Sequence, residues 1–226
     1  FVKAALEDRL LGRQMIGITG EMASGKSYVA EKLAERLDAT AINFDQLIRD
    51  LYIEDSPGAQ KVRDTLADLL GPDVLDKDRK EVNRTSLKAR LFNPHCPDKT
   101  RTQIHELTTP HVMRLYHKAL AQAKGLVIVE WAQLAEMNMQ AMVNGNVIVV
   151  EASDRAALAT KRGIDEATLS NVAHHQWSAD KKIEVLQQAA QRNDHGQVFH
   201  YMNDLDSERS ARGIERLAET ITGEIK

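Results

Sequence analysis

The segment most clearly suited to chemistry follows the pattern G-x-x-x-x-G-K-[ST], which binds nucleotide phosphates where it joins a strand to a helix. It consists of Gly20, Glu21, Met22, Ala23, Ser24, Gly25, Lys26 and Ser27. The two glycines allow backbone conformations that a side chain would block, so that successive N–H groups turn toward phosphate oxygens. Lys26 can reach the β- and γ-phosphates, and the Ser27 hydroxyl can hold Mg²⁺. The segment, with Tyr28 after it, therefore predicts a nucleoside triphosphate site.

Asp45 is a second candidate for chemistry, because a carboxylate can accept the proton of a hydroxyl group that attacks a phosphate. It follows the second predicted strand, and the carboxyl ends of parallel strands line the ligand crevice of open α/β sheets. The role of N-cap for a helix over residues 46–52 explains the same residue equally well, since Asp is a favoured cap. Arg49 lies one helical turn after Asp45, so the two side chains can face the same site.

Short apolar runs predict the strands that must position these residues. The runs are 15–19, 39–44, 125–130 and 146–151. The last two are continuous rather than alternating, as a parallel sheet covered on both faces requires. Helical patterns follow the loop at 28–37 and fill 154–192, and a final amphipathic helix is predicted from about Ser207 to Ile225. Strands that alternate with helices predict an α/β fold with a central parallel sheet.

A long helical segment separates the second and third predicted strands. Residues 46–125 show helical repeats and little alternation, with Pro and Gly as punctuation, and we interpret this stretch as a helical insertion. Pro110 is expected to interrupt a helix there, because proline lacks the N–H group that the helix needs.

Composition excludes several classes of protein. Lys and Arg number 30 against 33 Asp and Glu, a net charge of −3, which argues against a nucleic-acid partner. No apolar run is long enough to cross a bilayer, so no membrane partner is expected. Cys96 is the single cysteine, which excludes an intrachain disulfide and favours a reducing, cytoplasmic location.

The first 14 residues form a separate lead-in with its own pattern. They read FVKAALEDRLLGRQ and predict a short amphipathic helix or a linker. Trimming of the chain and the tail of a linker from an upstream fused domain explain this segment equally well.

Beyond the loop, the sequence resembles the dephospho-CoA kinases, a family of P-loop kinases that phosphorylate the ribose 3′-hydroxyl of dephospho-CoA. The resemblance rests on an ordered series of short matches between about residues 15 and 200. In chain order they are Ile16 to Gly20 leading into Ser24 to Ser27, Asp45 with Arg49, Arg84 and Leu87 through Phe92, Pro110, Glu130 with Leu134 and Glu136, Arg162, and Gln176.

The resemblance implies a transferase of coenzyme A biosynthesis with a P-loop kinase domain over 15–226, an acceptor-binding insertion at about 49–122 and a mobile lid at about 154–180. It implies ATP and Mg²⁺ as cofactors and dephospho-CoA as the acceptor. In catalysis it implies Lys26, Asp45 as the general base toward the 3′-hydroxyl, and Arg162 as the lid cation on the transferring phosphate. The implied acceptor-binding residues are Asp45, Arg49, Arg84 and Glu130.

The chain departs from the family pattern at several positions. They are Glu21 and Ala23 in place of loop glycines, Thr109 in place of His, Glu130 with Ala132 in place of Asp with Pro, and Leu158 in place of a lid arginine. Without that arginine, Lys161 or Arg155 would have to supply the second lid cation. Two alternatives stay open: a kinase for another nucleoside- or nucleotide-like acceptor, and a nucleotide-binding domain with little or no catalysis.

Overall fold

The computed structural model describes residues 14–91, 93, 95–173 and 176–224. Apart from Gln14, the predicted lead-in lies outside the described residues. The chain divides into two compact units, which we call the core unit, up to Asn43 and from Ala123 onward, and the insertion unit, residues 44–122.

The core unit is organised around a parallel sheet. Its strands are β1 (Met15–Gly20), β2 (Thr40–Asn43), β3 (Val127–Glu130), β4 (Val147–Ala152) and β5 (Val198–Asn203). They lie in the order β2-β3-β1-β4-β5, and every neighbouring pair is parallel. The predicted α/β fold with a central parallel sheet is confirmed.

Helices lie between these strands and after the last of them in the described chain. They are α1 (Lys26–Leu37), α2 (Phe44–Ile53), α3 (Pro57–Leu70), α4 (Arg84–Leu91), α5 (Asp98–Gln122), α6 (Arg155–Lys161), α7 (Glu166–Ala173), α8 (Ala179–Asn193) and α9 (Ser207–Glu224). Short 3-10 helices lie at Pro72–Val74 and Gln140–Val143.

The apolar core explains why α1 and α9 pack on the sheet. Ile16 and Ile18 of β1 are fully buried against Val29 and Leu33 of α1, and Ile214 of α9 joins the same cluster. Each such side chain stabilises the fold by about 1.5–3 kcal/mol when it leaves water. The packing holds the end of β1 and the start of α1 at fixed positions, and the phosphate loop joins them.

The structure differs from the sequence analysis at two strands. The second strand was expected over 39–44, but β2 ends at Asn43 and Phe44 begins α2, so Asp45 lies inside a first helical turn instead of after a strand or at an N-cap. β5 was not predicted at all. As an edge strand, it alternates exposed His200 and Met202 with buried Tyr201 instead of forming a continuous apolar run. The alternation is short and comes soon after a long helix, so the sequence pattern did not reveal it.

The insertion unit is helical, and one of its helices differs from expectation. α5 runs without a break through Pro110, so the predicted interruption was wrong. The hydroxyls of Thr108 and Thr109 donate to the carbonyls of Ile104 and His105, at 2.9 and 2.7 Å, in the turn before the proline. The bond that Pro110 cannot make is the one to the carbonyl of Glu106, so these hydroxyl bonds do not replace it. Threonine bonds of this kind can bend a helix, which eases the passage of the proline ring.

Candidate functional site

The phosphate loop joins β1 to α1 and excludes side chains at both of its glycines. Gly20 has a φ of +152°, and a Cβ there would lie 2.2 Å from the carbonyl oxygen of Val150 in β4. Gly25 has a φ of +87°, and a Cβ there would lie 2.0 Å from Nδ2 of Asn203 in β5. The loop conformation therefore depends on glycine at both positions, for reasons of space as well as backbone geometry.

Lys26 lies within the loop and is almost buried. Its Nζ donates to the carbonyl oxygen of Glu21 at 3.0 Å, so the ammonium group is held over the loop. The amide of Ser24 also donates to that carbonyl, at 3.2 Å. A cation held above inward-turned N–H groups forms an anion site at the start of α1.

Asn203, the last residue of β5, forms a hydrogen bond with the loop although the two are far apart in the sequence. Its Nδ2 donates to the carbonyl oxygen of Ser24 at 3.1 Å, and its Oδ1 accepts from the Ser210 hydroxyl at 3.0 Å. Asn203 is buried at the carboxyl end of β5. Sequence reasoning missed this residue because it missed the strand that carries it, and recognising the alternation in 198–203 would have placed it at the site.

Ser27 and Glu130 meet beside the loop. The Ser27 hydroxyl donates to Oε1 of Glu130 at 2.7 Å, and Nδ2 of Asn43 donates to Oε2 at 2.5 Å. Glu130 is buried at the end of β3, next to β1 in the sheet. A hydroxyl and a carboxylate are the oxygen donors that Mg²⁺ prefers, so this pair fits a magnesium ion. The structure thus places Glu130, an expected acceptor-binding residue, against Ser27.

An ion pair shielded from water, Lys182 with Glu136, lies close to the carboxyl end of β1. Lys182 of α8 is fully buried, and its Nζ donates to Oε1 of Glu136 at 2.5 Å and to the carbonyl oxygen of Ala132 at 2.9 Å. The Thr19 hydroxyl donates to the same carbonyl at 2.9 Å. Burial lowers the pKa of Lys182, and the neighbouring Glu136 carboxylate opposes that shift.

The segment before α8 contacts the phosphate loop. The side-chain carbonyl of Gln176 accepts from the Met22 amide at 2.9 Å, and the Trp177 amide donates to Oε1 of Glu136 at 3.0 Å. The buried pair and the loop are therefore connected through two consecutive residues. Sequence reasoning singled out Gln176 and Glu136 but missed Lys182, whose burial no local pattern indicates.

Arg155 reaches the loop from the other side. It is the first residue of α6, and its guanidinium donates to the Glu21 carboxylate. Asp154 caps this helix by accepting from the Ala157 amide at 2.9 Å. Lys161 and Arg155 were the two candidates for the second lid cation. Of these, Arg155 forms a hydrogen bond with the phosphate loop.

Arg162 lines a different part of the core unit. It is the C-cap of α6, and its exposed side chain borders a pocket of about 320 Å³ beside the loop. Gly25 and Tyr28 contribute to the same pocket, as do Leu158 and Asn203. Apolar walls next to a phosphate site are suited to a nucleoside base.

Asp45, Arg49 and Arg84 belong to the insertion unit. The guanidinium of Arg49 donates to the Gln46 side chain at 3.2 Å on the exposed face of α2. Lys88 of α4 lies close enough to the other three residues to feel their charges. Loss of solvent and then the charges of Arg84 and Arg49 lower the pKa of Lys88, and the Asp45 carboxylate opposes this shift. Three cations and one carboxylate therefore share a region. Lys88 was not predicted.

The sheet order, the loop between β1 and α1 and the Ser27–Glu130 pair define a P-loop nucleotide-binding fold. A family model described as dephospho-CoA kinase matches residues 14–196, and the chain belongs to this family. The dephospho-CoA kinase of Moorella thermoacetica is 34% identical over 135 residues, which cover 58% of this chain and 59% of that protein. That of Geobacter metallireducens is 36% identical over 111 residues, covering 49% of this chain and 50% of that protein. The chain thus spans little more than half the length of these two relatives.

Solved structures give the same fold. A protein from Thermus thermophilus superposes with a TM-score of 0.68 at 19% identity, covering 95% of this chain and 98% of that one. The dephospho-CoA kinase from Campylobacter jejuni superposes with a TM-score of 0.53 at 13% identity, covering 92% of this chain and 97% of that one.

Among the described residues, no helix combines the length and apolar character needed to cross a membrane.

Proposed function

We propose that the protein is an ATP-dependent kinase that phosphorylates the ribose 3′-hydroxyl of dephospho-CoA to give CoA. The observation that carries the proposal is the phosphate loop with Ser27 held on buried Glu130, in a chain that belongs to the dephospho-CoA kinase family. The proposal also implies a cytoplasmic protein without a nucleic-acid partner, in keeping with the net charge of −3.

The core unit would bind the donor nucleotide. The loop N–H groups and Lys26 would receive the phosphates of ATP, and the pocket beside Tyr28 would receive the base. Ser27 and Glu130 would hold Mg²⁺, which neutralises charge on the β- and γ-phosphates when it is bound. The family resemblance, rather than the pocket assigned to the base, supports Arg162 as a cation for the transferring phosphate.

The insertion unit would bind the acceptor. Arg49, Arg84 and Lys88 offer positive charge for the pyrophosphate of dephospho-CoA, and Asp45 lies among them. In the transfer, the 3′-oxygen bonds to the γ-phosphorus while the bond from that phosphorus to the β–γ bridging oxygen breaks. ADP leaves with the bridging oxygen, and the hydroxyl proton passes to the Asp45 carboxylate.

Product formation tests the proposal directly. The protein is incubated with ATP, Mg²⁺ and dephospho-CoA, and CoA is measured by mass spectrometry. Asp45→Asn should lower kcat by about 10²–10⁴-fold, because a general base contributes that much, while ATP affinity stays unchanged. Asp50→Asn, on the same helix and bonded to Gln46, serves as the matched control. A wild-type protein that binds ATP but forms no CoA would refute the proposed acceptor.

A further inference from the structure

The phosphate loop contains an acidic side chain, whose negative charge opposes the binding of phosphates by the loop. Glu21 is the second residue of a loop whose N–H groups are arranged for phosphate oxygens. A carboxylate at this position repels a triphosphate unless a cation offsets it. Glu21 in fact holds two cations, since its carbonyl accepts from Lys26 and its carboxylate accepts from Arg155.

The sheet explains why Arg155 is available at this position. β4 lies next to β1, with Val150 opposite Gly20, so both strands end at the same edge. α6 starts three residues after β4, and its cap at Asp154 fixes the orientation of the first turn. Arg155 is therefore placed beside the loop by the fold, before any ligand arrives.

The pair is better shielded from water than an ordinary surface ion pair. The Arg155 and Glu21 side chains are 28% and 20% exposed, compared with 55% and 56% for Arg36 and Glu215. Electrostatic interactions strengthen as water is excluded, so the Arg155 charge matters more here than at the surface.

We propose that Arg155 is a phosphate-contacting residue for the donor nucleotide and that Glu21 is the counter-ion that positions it. When a nucleoside triphosphate fills the loop, the guanidinium donates to phosphate oxygens through N–H groups that Glu21 does not use, so the carboxylate keeps its cation. Arginine matches a phosphate with two parallel hydrogen bonds, which a lysine cannot do. The inference rests on the proposed function only in that the loop binds ATP.

A simpler role for Arg155 would be to neutralise Glu21 without touching the ligand. A double-mutant cycle separates the two roles, because neutralisation needs Glu21 and phosphate contact does not. The variants are Arg155→Gln, Glu21→Gln and the double variant, with Arg155→Lys to keep the charge. Dissociation constants for ATP and AMP are measured by displacement of a fluorescent ATP analogue, and thermal melting checks that each variant is folded.

The phosphate-contact role predicts that Arg155→Gln weakens ATP binding by about 10–100-fold and AMP binding much less, because AMP lacks the outer phosphates. A loss of at least about tenfold should remain when Arg155→Gln is added to Glu21→Gln, because the guanidinium contacts phosphate whether or not Glu21 is present. Arg36→Gln, in the exposed pair of the same unit, should leave both constants unchanged. The inference is overturned if the double variant binds ATP as tightly as Glu21→Gln alone.

These results can be told apart from failure of the proposed function. If the wild-type protein binds ATP but forms no CoA, the acceptor assignment fails and the binding cycle still decides the role of Arg155. If CoA forms and Arg155→Gln binds ATP normally, the proposed function stands and the Arg155 inference falls. A wild-type protein that does not bind ATP overturns both.

Discussion

The charges beside the phosphate loop and those around Lys88 differ in burial, although the insertion unit also has a buried charge in Arg63. In the core unit, Glu130 and Lys182 are buried and each is bonded to neighbouring protein groups. In the insertion unit, Asp45 and Arg49 lie on an exposed helix face, and their charges and that of Arg84 act on Lys88. Buried, bonded groups are fixed before a ligand binds, whereas exposed groups gain order from the ligand. If the proposed function holds, the side that binds the donor nucleotide is prearranged and the side that binds the acceptor is ordered by its substrate.

Removal of the loop cation tests the prearranged side most severely. Lys26→Met should lower kcat/KM for ATP by about 10³-fold, since a fixed positive group at the developing charge contributes on that scale. Lys32→Met is the matched control, because Lys32 lies on the same helix in an exposed pair with Glu35. The initial rate of CoA formation measures both. Comparable losses in the two variants would mean that α1 tolerates no change, and the comparison between units would lose its basis.

Lysine replacement compares the stability of the two units. Lys182→Met leaves Glu136 buried without its cation and should cost about 3–5 kcal/mol in the free energy of unfolding. Lys88→Met should change it by about 0.5 kcal/mol or less, as exposed substitutions usually do. Urea denaturation gives both values. In the double variant Lys182→Met with Glu136→Leu, most of the loss should disappear, because no unpaired charge remains.

The smallest expected effect concerns the acceptor side. Lys88→Gln should raise KM for dephospho-CoA about fivefold and leave KM for ATP unchanged, because an exposed cation adds about 1 kcal/mol to anion binding. The pKa of Lys88 is lowered, so this ammonium loses its proton at a lower pH than a free lysine. In the wild type, KM for dephospho-CoA should therefore start to rise before the usual lysine range, and Lys88→Gln should lack that rise. A pH profile identical in the two proteins would remove Lys88 from the acceptor side.

The sequence was informative where the site is contiguous. Gly20, Gly25 and Lys26 are predictable because one short pattern contains the whole loop, and the strand and helix around it have clear periods. Asn203 and Lys182 were not predictable, because their roles depend on burial and on partners distant in the chain. Asn203 bonds to the loop across 179 residues, and Lys182 bonds to Ala132 across 50 residues. Asp45 was predicted to follow the strand directly, but it lies in the first turn of α2. The strand passes into the helix at Phe44 with no turn residue to mark the boundary.

The position of Asn203 has a practical consequence for where this chain can be cut. The family model ends at residue 196, before β5 begins at Val198. A protein truncated at that boundary would keep every residue of the loop pattern and lose the side chain that holds the Ser24 carbonyl. It would also lose Ile214, Leu217 and Ile221 of α9, and with them one wall of the apolar core. The smallest working unit of this nucleotide site therefore extends well past the part of the chain that identifies its family.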